Sequence, residues 1–476
     1  MKQFTFLASL CGLLSTVAAV TPVEVKGSQF VNSKTNTRFQ MVGVDYQPGG
    51  SSGYKPETGK DPLSSADDCL RDAILLQRLG VNTIRIYNVD PSLNHDECVS
   101  IFNAAGIYLL LDVSTPIYGQ YLNRAEPSSS YTKGFLQRLF SMVEAFKDYP
   151  NLLGFFGGNE IINEDAAKDA PAYIRAIQRD LKDYIAQHAS RKIPVGYSAA
   201  DVREVLKDSW NYVTCQSSGS PTSNADFFGI NSYSWCGDSS YTESGYDKLV
   251  ELFSKTSVPV FFSEYGCNEV KPRIFTEVQA VYGPEMTKAM CGGLIYEYSQ
   301  EDNEYGLVKL GGKDNTTLLI DYDNLLGQFK KLDIKKLQSL DPSTTTIKPP
   351  TCKSSLITSG SFLKKFDIPK RPAGGNELIK NGIKNPPKGK LVKVKSTKTD
   401  TKIFTKDGKL LSNLELKLLE SDQANIPGEN TSGTPTEEAN TPDDSQPSHS
   451  GAGMTISNSH FAYLLASLTI LGLVMA

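Results

Sequence analysis

Two glutamates stand at the ends of two largely apolar segments that lie about a hundred residues apart. Glu160 closes the run 152–159, and Glu264 closes the run 258–263. Continuous apolar runs of this length are typical of strands buried on both faces of a parallel sheet. A carboxylate at the end of such a strand is costly to bury unless it has a role there. The pattern predicts two carboxylates facing one cleft, which is the equipment for cleaving glycosidic bonds.

The two glutamates are expected to have different catalytic roles. In a retaining mechanism one carboxylic acid protonates the leaving oxygen and the other carboxylate attacks the anomeric carbon, at a separation of only about 5–5.5 Å. Glu160 is the predicted acid/base, and Asn159 before it is expected to hold the sugar 2-hydroxyl. Glu264 is the predicted nucleophile. Tyr233, at the end of the preceding strand, is expected to donate a hydrogen bond that keeps Glu264 ionised.

Strand-like and helix-like segments alternate around these residues. The predicted strands are 39–45, 81–87, 107–112, 152–160, 193–197, 227–233, 258–264 and 292–298. Alternation selects the parallel α/β class, and the count of eight predicts a (β/α)8 TIM barrel. Chemistry in that fold sits at the C-terminal ends of the strands. These ends hold Tyr87, Asp112, Glu160, Tyr233, Glu264 and Tyr298.

Both ends of the chain carry targeting patterns. Residues 1–19 combine Lys2, an apolar run and two small residues, the layout of a secretory signal peptide. The uncharged tail 461–476 is shorter than the roughly twenty residues that a membrane-spanning helix needs. The tail follows a group of small residues and a polar spacer, which together form the signal for a glycosylphosphatidylinositol (GPI) anchor. We predict the anchor at Ser450 or Gly451, with 451–476 as the signal removed on maturation. A short tail-anchor helix is the alternative.

Charge and cysteine usage narrow the class of protein. The formal net charge of −4 gives no basis for nucleic-acid binding. Seven cysteines follow the signal peptide and none forms a CxxC pair with zinc spacing, so we expect disulfides, no metal and no cofactor. Because seven is odd, one thiol stays free, and Cys291 in the apolar lead-in to a strand is the candidate. Acceptor motifs at Asn315 and Asn430 predict N-glycosylation.

The composition changes after Cys352. Residues 353–409 carry fifteen Lys and Arg against four Asp and Glu, and 423–453 are rich in Ser, Thr, Pro and Asn. Such stretches bury too little apolar surface to offset the entropy of ordering. We therefore predict a catalytic domain over 20–352 and a disordered, O-glycosylated stalk over 353–450. Binding of an anionic wall polymer by the basic stretch is the alternative.

Five motifs in order resemble those of a known family. They are GVDYQPGG (43–50), IRIYNVDP (84–91), GGNE (157–160), NSYSWCG (231–237) and FSEYGCN (262–268). The chain from about residue 21 to 352 resembles the fungal cell-wall β-1,3-glucanosyltransferases of glycoside hydrolase family 72. The resemblance implies a GPI-anchored enzyme that cleaves β-1,3-glucan internally and transfers the new reducing end to the non-reducing end of another chain.

The resemblance also implies roles for single residues. It carries Glu160 over as acid/base and Glu264 as nucleophile. It places sugar contacts at Gln47, Tyr87, Asp112, Asn159, Tyr233, Tyr296 and Tyr305. It implies the disulfides Cys69–Cys98, Cys215–Cys352 and Cys236–Cys267, with Cys291 alone. Some members carry a cysteine-rich glucan-binding module after the barrel, and this chain, with no cysteine after Cys352, resembles the members that lack it.

Three functions stay open on the sequence. A transglycosylase and a retaining endo-β-1,3-glucanase share the glycosyl-enzyme intermediate and differ in whether a sugar or water reaches it first. Tyr87, Tyr296 and Tyr305 are expected to form aromatic platforms that hold an incoming glucan and favour transfer. A catalytically silent glucan-binding wall protein is the third reading, against which the two glutamates argue. We expect β-1,3-glucan donor and acceptor chains as partners, a monomer, and attachment at the cell surface through the GPI lipid, at the plasma membrane or the wall.

Overall fold

The computed structural model describes residues 18–50, 54–163, 169–312, 314–340 and 347–433. Almost all of the predicted signal peptide lies outside these residues. So do the stretch 434–450, the predicted anchor positions Ser450 and Gly451, and the tail 451–476. Within the described ranges, no helix combines the length and the apolar content that crossing a bilayer requires.

Eight parallel strands close into a barrel, which confirms the predicted TIM barrel and its eight strands. A hairpin of β1 (Val23–Lys26) and β2 (Gln29–Asn32) precedes it. The barrel strands are β3 (Met41–Asp45), β4 (Thr83–Ile86), β5 (Tyr108–Asp112), β6 (Leu152–Asn159), β7 (Val195–Ala200), β8 (Phe228–Ser232), β9 (Val260–Tyr265) and β10 (Gly292–Ile295). Neighbours in the chain are neighbours in the barrel, and β10 closes it against β3.

Helices surround the barrel and extend beyond it. They are α1 (Ala66–Leu79), α2 (Asp96–Ala104), α3 (Pro127–Ser130), α4 (Lys133–Phe146), α5 (Ala170–His188), α6 (Arg203–Thr214), α7 (Tyr246–Phe253), α8 (Glu277–Val281), α9 (Ile320–Phe329), α10 (Ile334–Ser339) and α11 (Gly375–Asn381). Local sequence sets their ends. The Ser65 side chain accepts a hydrogen bond from the backbone of Asp68 and begins α1, and Gly80, at φ 90°, ends it.

Aromatic side chains fill the N-terminal end of the barrel. Phe30 of the hairpin packs against Phe227 and Phe261, with ring centroids 5.9 and 5.8 Å apart. All three rings are fully buried. Since this end is packed shut, the cleft lies at the opposite end, where the strands finish.

Three disulfides hold the outer elements. They join Cys69 to Cys98, Cys215 to Cys352 and Cys236 to Cys267, which are the pairs that the resemblance implies. The described cysteine outside these pairs is Cys291, a buried thiol.

Residues 353–433, called the strap below, are folded. They contain α11 and β13 (Lys402–Phe404). Strand β13 pairs in parallel with β12 (Asn315–Leu318), whose other neighbour is β11 (Val308–Leu310). The disorder predicted for 353–433 and the domain boundary predicted at residue 352 are therefore wrong.

The strap is ordered because it brings both apolar anchors and charges that match the barrel's helices. Ile403 and Leu416 are 1% and 2% exposed. The Arg371 guanidinium binds the carboxylates of Asp180, at 2.7 Å, and Asp183 on α5. Composition alone does not predict this packing, because the apolar anchors are irregularly spaced and the acidic partners of Arg371 lie 191 and 188 residues before it in the chain.

The last part of the strap lies at the N-terminal end of the barrel. The Asn425 side chain donates to the carbonyls of Gln77 and Val81, both at 2.9 Å, where α1 ends and the chain turns into β4. The carbonyl of Ser432 accepts from Arg78 Nε at 3.0 Å. The strap therefore finishes beside the packed end, away from the strand ends that carry the glutamates.

The two predicted glycosylation sites differ in accessibility. Asn315 is exposed on β12. Asn430 is only 5% exposed, and its Nδ2 donates to Gln77 Oε1 at 2.7 Å and to the carbonyl of Glu415 at 2.9 Å. A glycan on that nitrogen would replace one of the two hydrogens and would need space that a side chain only 5% exposed does not have, so the glycosylation predicted at Asn430 conflicts with the folded chain.

Candidate active site

The two glutamates meet at the C-terminal mouth of the barrel. Glu264 belongs to β9, and its partner in the neighbouring strand β8 is Asn231. Glu160 directly follows β6, with its backbone nitrogen bound to the carbonyl of Ser198 at 2.9 Å. Its φ of 48° is a left-handed conformation that is strained for any residue with a side chain. Strain of this kind is expected where a functional side chain must leave the line of its strand.

Three donors surround the Glu264 carboxyl, which is 8% exposed. Oε1 accepts from the Tyr87 hydroxyl at 2.9 Å and from Arg85 Nη1 at 3.1 Å, and Oε2 accepts from the Tyr233 hydroxyl at 2.7 Å. The hydrogen bond predicted from Tyr233 is thus present. Burial raises the pKa of Glu264 to about 6, against the lowering effect of the Arg85 guanidinium. A carboxyl with this pKa is mostly ionised at neutral pH, which is the state that the role predicted for Glu264 requires.

An amide network holds the second glutamate. Glu160 Oε1 accepts from Asn231 Nδ2 at 2.9 Å, and the same nitrogen donates to Asn159 Oδ1 at 3.1 Å. The hydroxyls of Ser198 and Ser263 donate to Asn231 Oδ1 at 3.0 and 2.7 Å. Since the hydroxyls occupy the oxygen, the amide nitrogen must face the carboxyl. The hydrogen bonds of the described residues leave the second Glu160 oxygen open to the proton that its predicted acid/base role requires.

A buried arginine links the parts of the site. Arg85 is 0% exposed and binds Asp112 Oδ2 through Nε at 2.8 Å. Its Nη2 donates to Asn159 Oδ1 at 2.9 Å. The guanidinium lies over the rings of Tyr87 and Phe156, 4.3 and 4.6 Å from their centroids. Asp112, predicted as a sugar contact, reaches the site chiefly as the counter-ion of this cation.

The remaining predicted contacts cluster at the same mouth. The rings of Tyr87, Tyr233, Tyr296 and Tyr305 form neighbouring pairs with centroids 5.2 to 6.5 Å apart. All four are half-buried. Gln47 is 3% exposed, and its Oε1 accepts from the backbone of Tyr87 at 3.2 Å and of Asn88 at 3.0 Å. Gln47 therefore fixes the segment that carries Tyr87.

One strand-end residue lies outside the site, and two site residues escaped prediction. Tyr298 is fully buried and donates to Asp72 on α1 at 2.6 Å, so its role is structural. Arg85 and Asn231 lie within the motifs 84–91 and 231–237, but neither is among the predicted site residues. An arginine between two isoleucines of a predicted buried strand was the available signal for Arg85, because a charge there requires a partner. Nothing in the sequence singled out Asn231 from other strand-end amides.

The chain is similar in sequence to known glucanosyltransferases. The glucanosyltransferase family, glycoside hydrolase family 72, matches residues 13–333. The 1,3-beta-glucanosyltransferase gel2 of Aspergillus fumigatus is 56% identical over 426 residues, covering 90% of this chain and 89% of that protein. The probable 1,3-beta-glucanosyltransferase GAS3 of Saccharomyces cerevisiae is 45% identical over 413 residues, covering 82% of this chain and 78% of that protein.

A solved structure shares the fold. A variant of Saccharomyces cerevisiae Gas2p in complex with laminaritetraose and laminaripentaose superposes with a TM-score of 0.64 at 36% identity, covering 74% of this chain and 75% of that one. The chain belongs to the glucanosyltransferase family, glycoside hydrolase family 72.

Proposed function

We propose that this protein is a β-1,3-glucanosyltransferase that cleaves β-1,3-glucan internally and joins the new reducing end to the non-reducing end of another chain. The observation that carries the proposal is the pair Glu160 and Glu264 at one barrel mouth, each held by its own donors. Membership of the family and the activity named for its relatives support it.

The first step forms a glycosyl-enzyme. Glu264 attacks the anomeric carbon of the bound donor, and the glycosidic bond breaks as Glu160 gives its proton to the leaving oxygen. The Asn159 oxygen already accepts from Arg85 and Asn231, which leaves its Nδ2 to donate to the sugar 2-hydroxyl.

The second step transfers the sugar. Glu160, now a carboxylate, takes the proton of an acceptor hydroxyl, whose oxygen attacks the anomeric carbon and releases Glu264. Water can do the same and yield hydrolysis. Aromatic rings hold glucan by stacking, so the cluster that includes Tyr296 and Tyr305 gives a sugar acceptor the advantage of proximity over water.

Sequence patterns support proposals for the processing and location of the protein. We propose secretion with cleavage near residue 19, a GPI anchor at Ser450 or Gly451, and residence at the cell surface as a monomer. Exposed Asn315 is the proposed glycosylation site. The proposed mechanism requires neither metal nor cofactor, since carboxylates supply the nucleophile and the proton.

The test is to incubate the purified protein, with the strap kept, with a reduced β-1,3-gluco-oligosaccharide and to follow product lengths. Products longer than the substrate are expected. Only shorter products would indicate an endo-β-1,3-glucanase, and unchanged substrate with intact binding would indicate a silent glucan-binding protein. Glu160→Gln and Glu264→Gln should abolish both longer and shorter products. Glu285→Gln is the matched control, because this side chain is 59% exposed and pairs only with Lys288 among the described ion pairs.

A further inference from the structure

Arg273 is a buried arginine that the reaction above leaves without a role. It lies between β9 and α8 and is 2% exposed. Its Nε donates to Asp321 Oδ2 at 2.6 Å, and its backbone nitrogen donates to Asp321 Oδ1 at 3.2 Å. Because Asp321 belongs to the first turn of α9, the guanidinium is anchored to an element outside the barrel strands.

The other end of the guanidinium binds the backbone at the barrel mouth. Nη1 donates to the carbonyl of Tyr296 at 2.6 Å and to that of Gly266 at 3.3 Å, and Nη2 donates to the carbonyl of Tyr305 at 2.5 Å. Gly266 directly follows β9, and Tyr296 directly follows β10. The guanidinium carbon also lies 5.6 Å from the centroid of the Tyr305 ring. One side chain thus holds together the segments that carry both tyrosines.

These contacts require the shape of an arginine side chain. The planar guanidinium presents five N–H donors in a fixed fork, so it can serve Asp321 and three carbonyl oxygens in different directions. A lysine side chain has its three donors on one nitrogen and cannot span the same acceptors. Arg273→Lys would therefore keep the charge and lose the fork, and the two tyrosine segments would lose their common support.

The two tyrosine rings stand beside the proposed nucleophile. Their centroids are 5.2 Å apart, and the ring of Tyr233 lies 6.2 Å from that of Tyr296 and 5.5 Å from that of Tyr305. The Tyr233 hydroxyl donates to Glu264 Oε2 at 2.7 Å. A sugar stacked on these rings would be close to the glycosyl-enzyme, and proximity favours it over water only while the rings keep their place.

We propose that Arg273 is a positioning residue for the acceptor. It holds the backbones of Tyr296 and Tyr305 so that their rings stay where a glucan can stack, and it thereby raises the share of glycosyl-enzyme that ends in transfer. Arg273 forms no bond with the reacting atoms. Its counter-ion is Asp321, so its role is to fix geometry and not to supply charge to Glu264. The inference rests on the proposed function, because it requires a glycosyl-enzyme that either water or a sugar can reach.

The test measures how the glycosyl-enzyme divides between transfer and hydrolysis. The full protein acts on a long reduced β-1,3-gluco-oligosaccharide, with increasing amounts of a short one, labelled at its reducing end, as acceptor. Lengthened labelled product counts transfer, and new reducing ends count hydrolysis. In Arg273→Lys, the acceptor concentration at which the two are equal should rise about fivefold, the factor that one typical hydrogen bond contributes, while the rate of donor cleavage changes less than about twofold.

The ratio of transfer to hydrolysis separates positioning from a merely structural role, because a lower fraction of folded enzyme reduces both by the same factor. An unchanged ratio in Arg273→Lys would overturn the proposal. Arg175→Lys is the matched control, since Arg175 is also buried and donates to the carbonyls of Tyr212 at 2.6 Å and Cys215 at 3.0 Å, at the end of α6. An equal shift of the ratio in both variants would overturn the proposal as well.

Two further measurements keep the role of Arg273 open to refutation. Asp321→Asn keeps the shape of the anchor and weakens its hold on Arg273, so it should shift the ratio in the same direction by a smaller factor. If Arg273→Lys fails to fold, an unchanged ratio in Asp321→Asn overturns the proposal. If the wild type makes no lengthened product, the proposed function fails, and binding of the labelled oligosaccharide to the Glu264→Gln protein then decides the role of Arg273. Adding Arg273→Lys should weaken that binding about fivefold, and equal binding would overturn the proposal.

Discussion

Replacing Tyr233 with phenylalanine tests the hydrogen bond that keeps Glu264, the proposed nucleophile, ionised. The hydroxyl donates to Glu264 Oε2 at 2.7 Å, and this bond lowers the pKa of Glu264. A hydrogen bond to a charged partner contributes about 1.5–3 kcal/mol, and about 1.4 kcal/mol corresponds to one pH unit. Tyr233→Phe should therefore raise the pKa of Glu264 from about 6 by about 1 to 2 pH units.

The pH dependence of kcat/KM for transfer measures this change, because kcat/KM reports the ionisation of the free enzyme. Activity requires ionised Glu264 and falls as the pH drops below its pKa, so the acidic limb of Tyr233→Phe should lie at higher pH than that of the wild type. Tyr246→Phe is the matched control, since that hydroxyl is buried and has no hydrogen-bond partner among the described residues. An unmoved limb in Tyr233→Phe, or an equal movement in both variants, would refute the reasoning.

Three other substitutions probe the site and the strap. Asn231→Ala should lower kcat/KM roughly tenfold or more, because Glu160 loses the amide that positions its carboxyl. The loss in kcat/KM should be smaller for an activated sugar substrate whose leaving group needs no proton. An equal loss for both substrates would contradict this role of Asn231. Burial holds the pKa of Glu264 above its unfolded value of 4.5, so its ionisation costs stability as the pH rises through about 6. In urea unfolding, the free energy of unfolding of Glu264→Gln relative to that of the wild type should therefore rise by about 2 kcal/mol from acidic to neutral pH. A difference in unfolding free energy that stays constant with pH would count against the raised pKa. Arg371→Ala should lower the unfolding free energy by about 1–3 kcal/mol, because it removes a donor from a fully buried carboxylate. Lys395→Ala, whose side chain is 77% exposed, should change it by less than about 0.5 kcal/mol, and equal effects would argue against a packed strap.

The barrel and the pair of glutamates at its mouth were predictable because their signals are local. A strand buried on both faces must be apolar along its length, and a glutamate that interrupts such a pattern is visible in the sequence. Tyr233 could be placed beside Glu264 for a related reason, since consecutive strands of a barrel are neighbours.

The features that escaped prediction depend on distant partners. Whether Arg85 binds one carboxylate or several is decided by the strands around it, and the orientation of Asn231 is decided by hydroxyls 33 residues before it and 32 after it. The strap was misjudged because its average composition is that of a disordered chain, whereas its order comes from a few apolar anchors and from acidic groups on the barrel's helices. The burial of Asn430 follows from the same packing.

The strap also separates the two ends of the barrel in their response to change. Residues 425–432 are held against the end of α1, on the closed side of the barrel, while the tyrosine cluster lies on the open side. A substitution or an added group on residues 425–432 would therefore act on the packed end, and the strand ends that carry Glu160 and Glu264 would keep their arrangement.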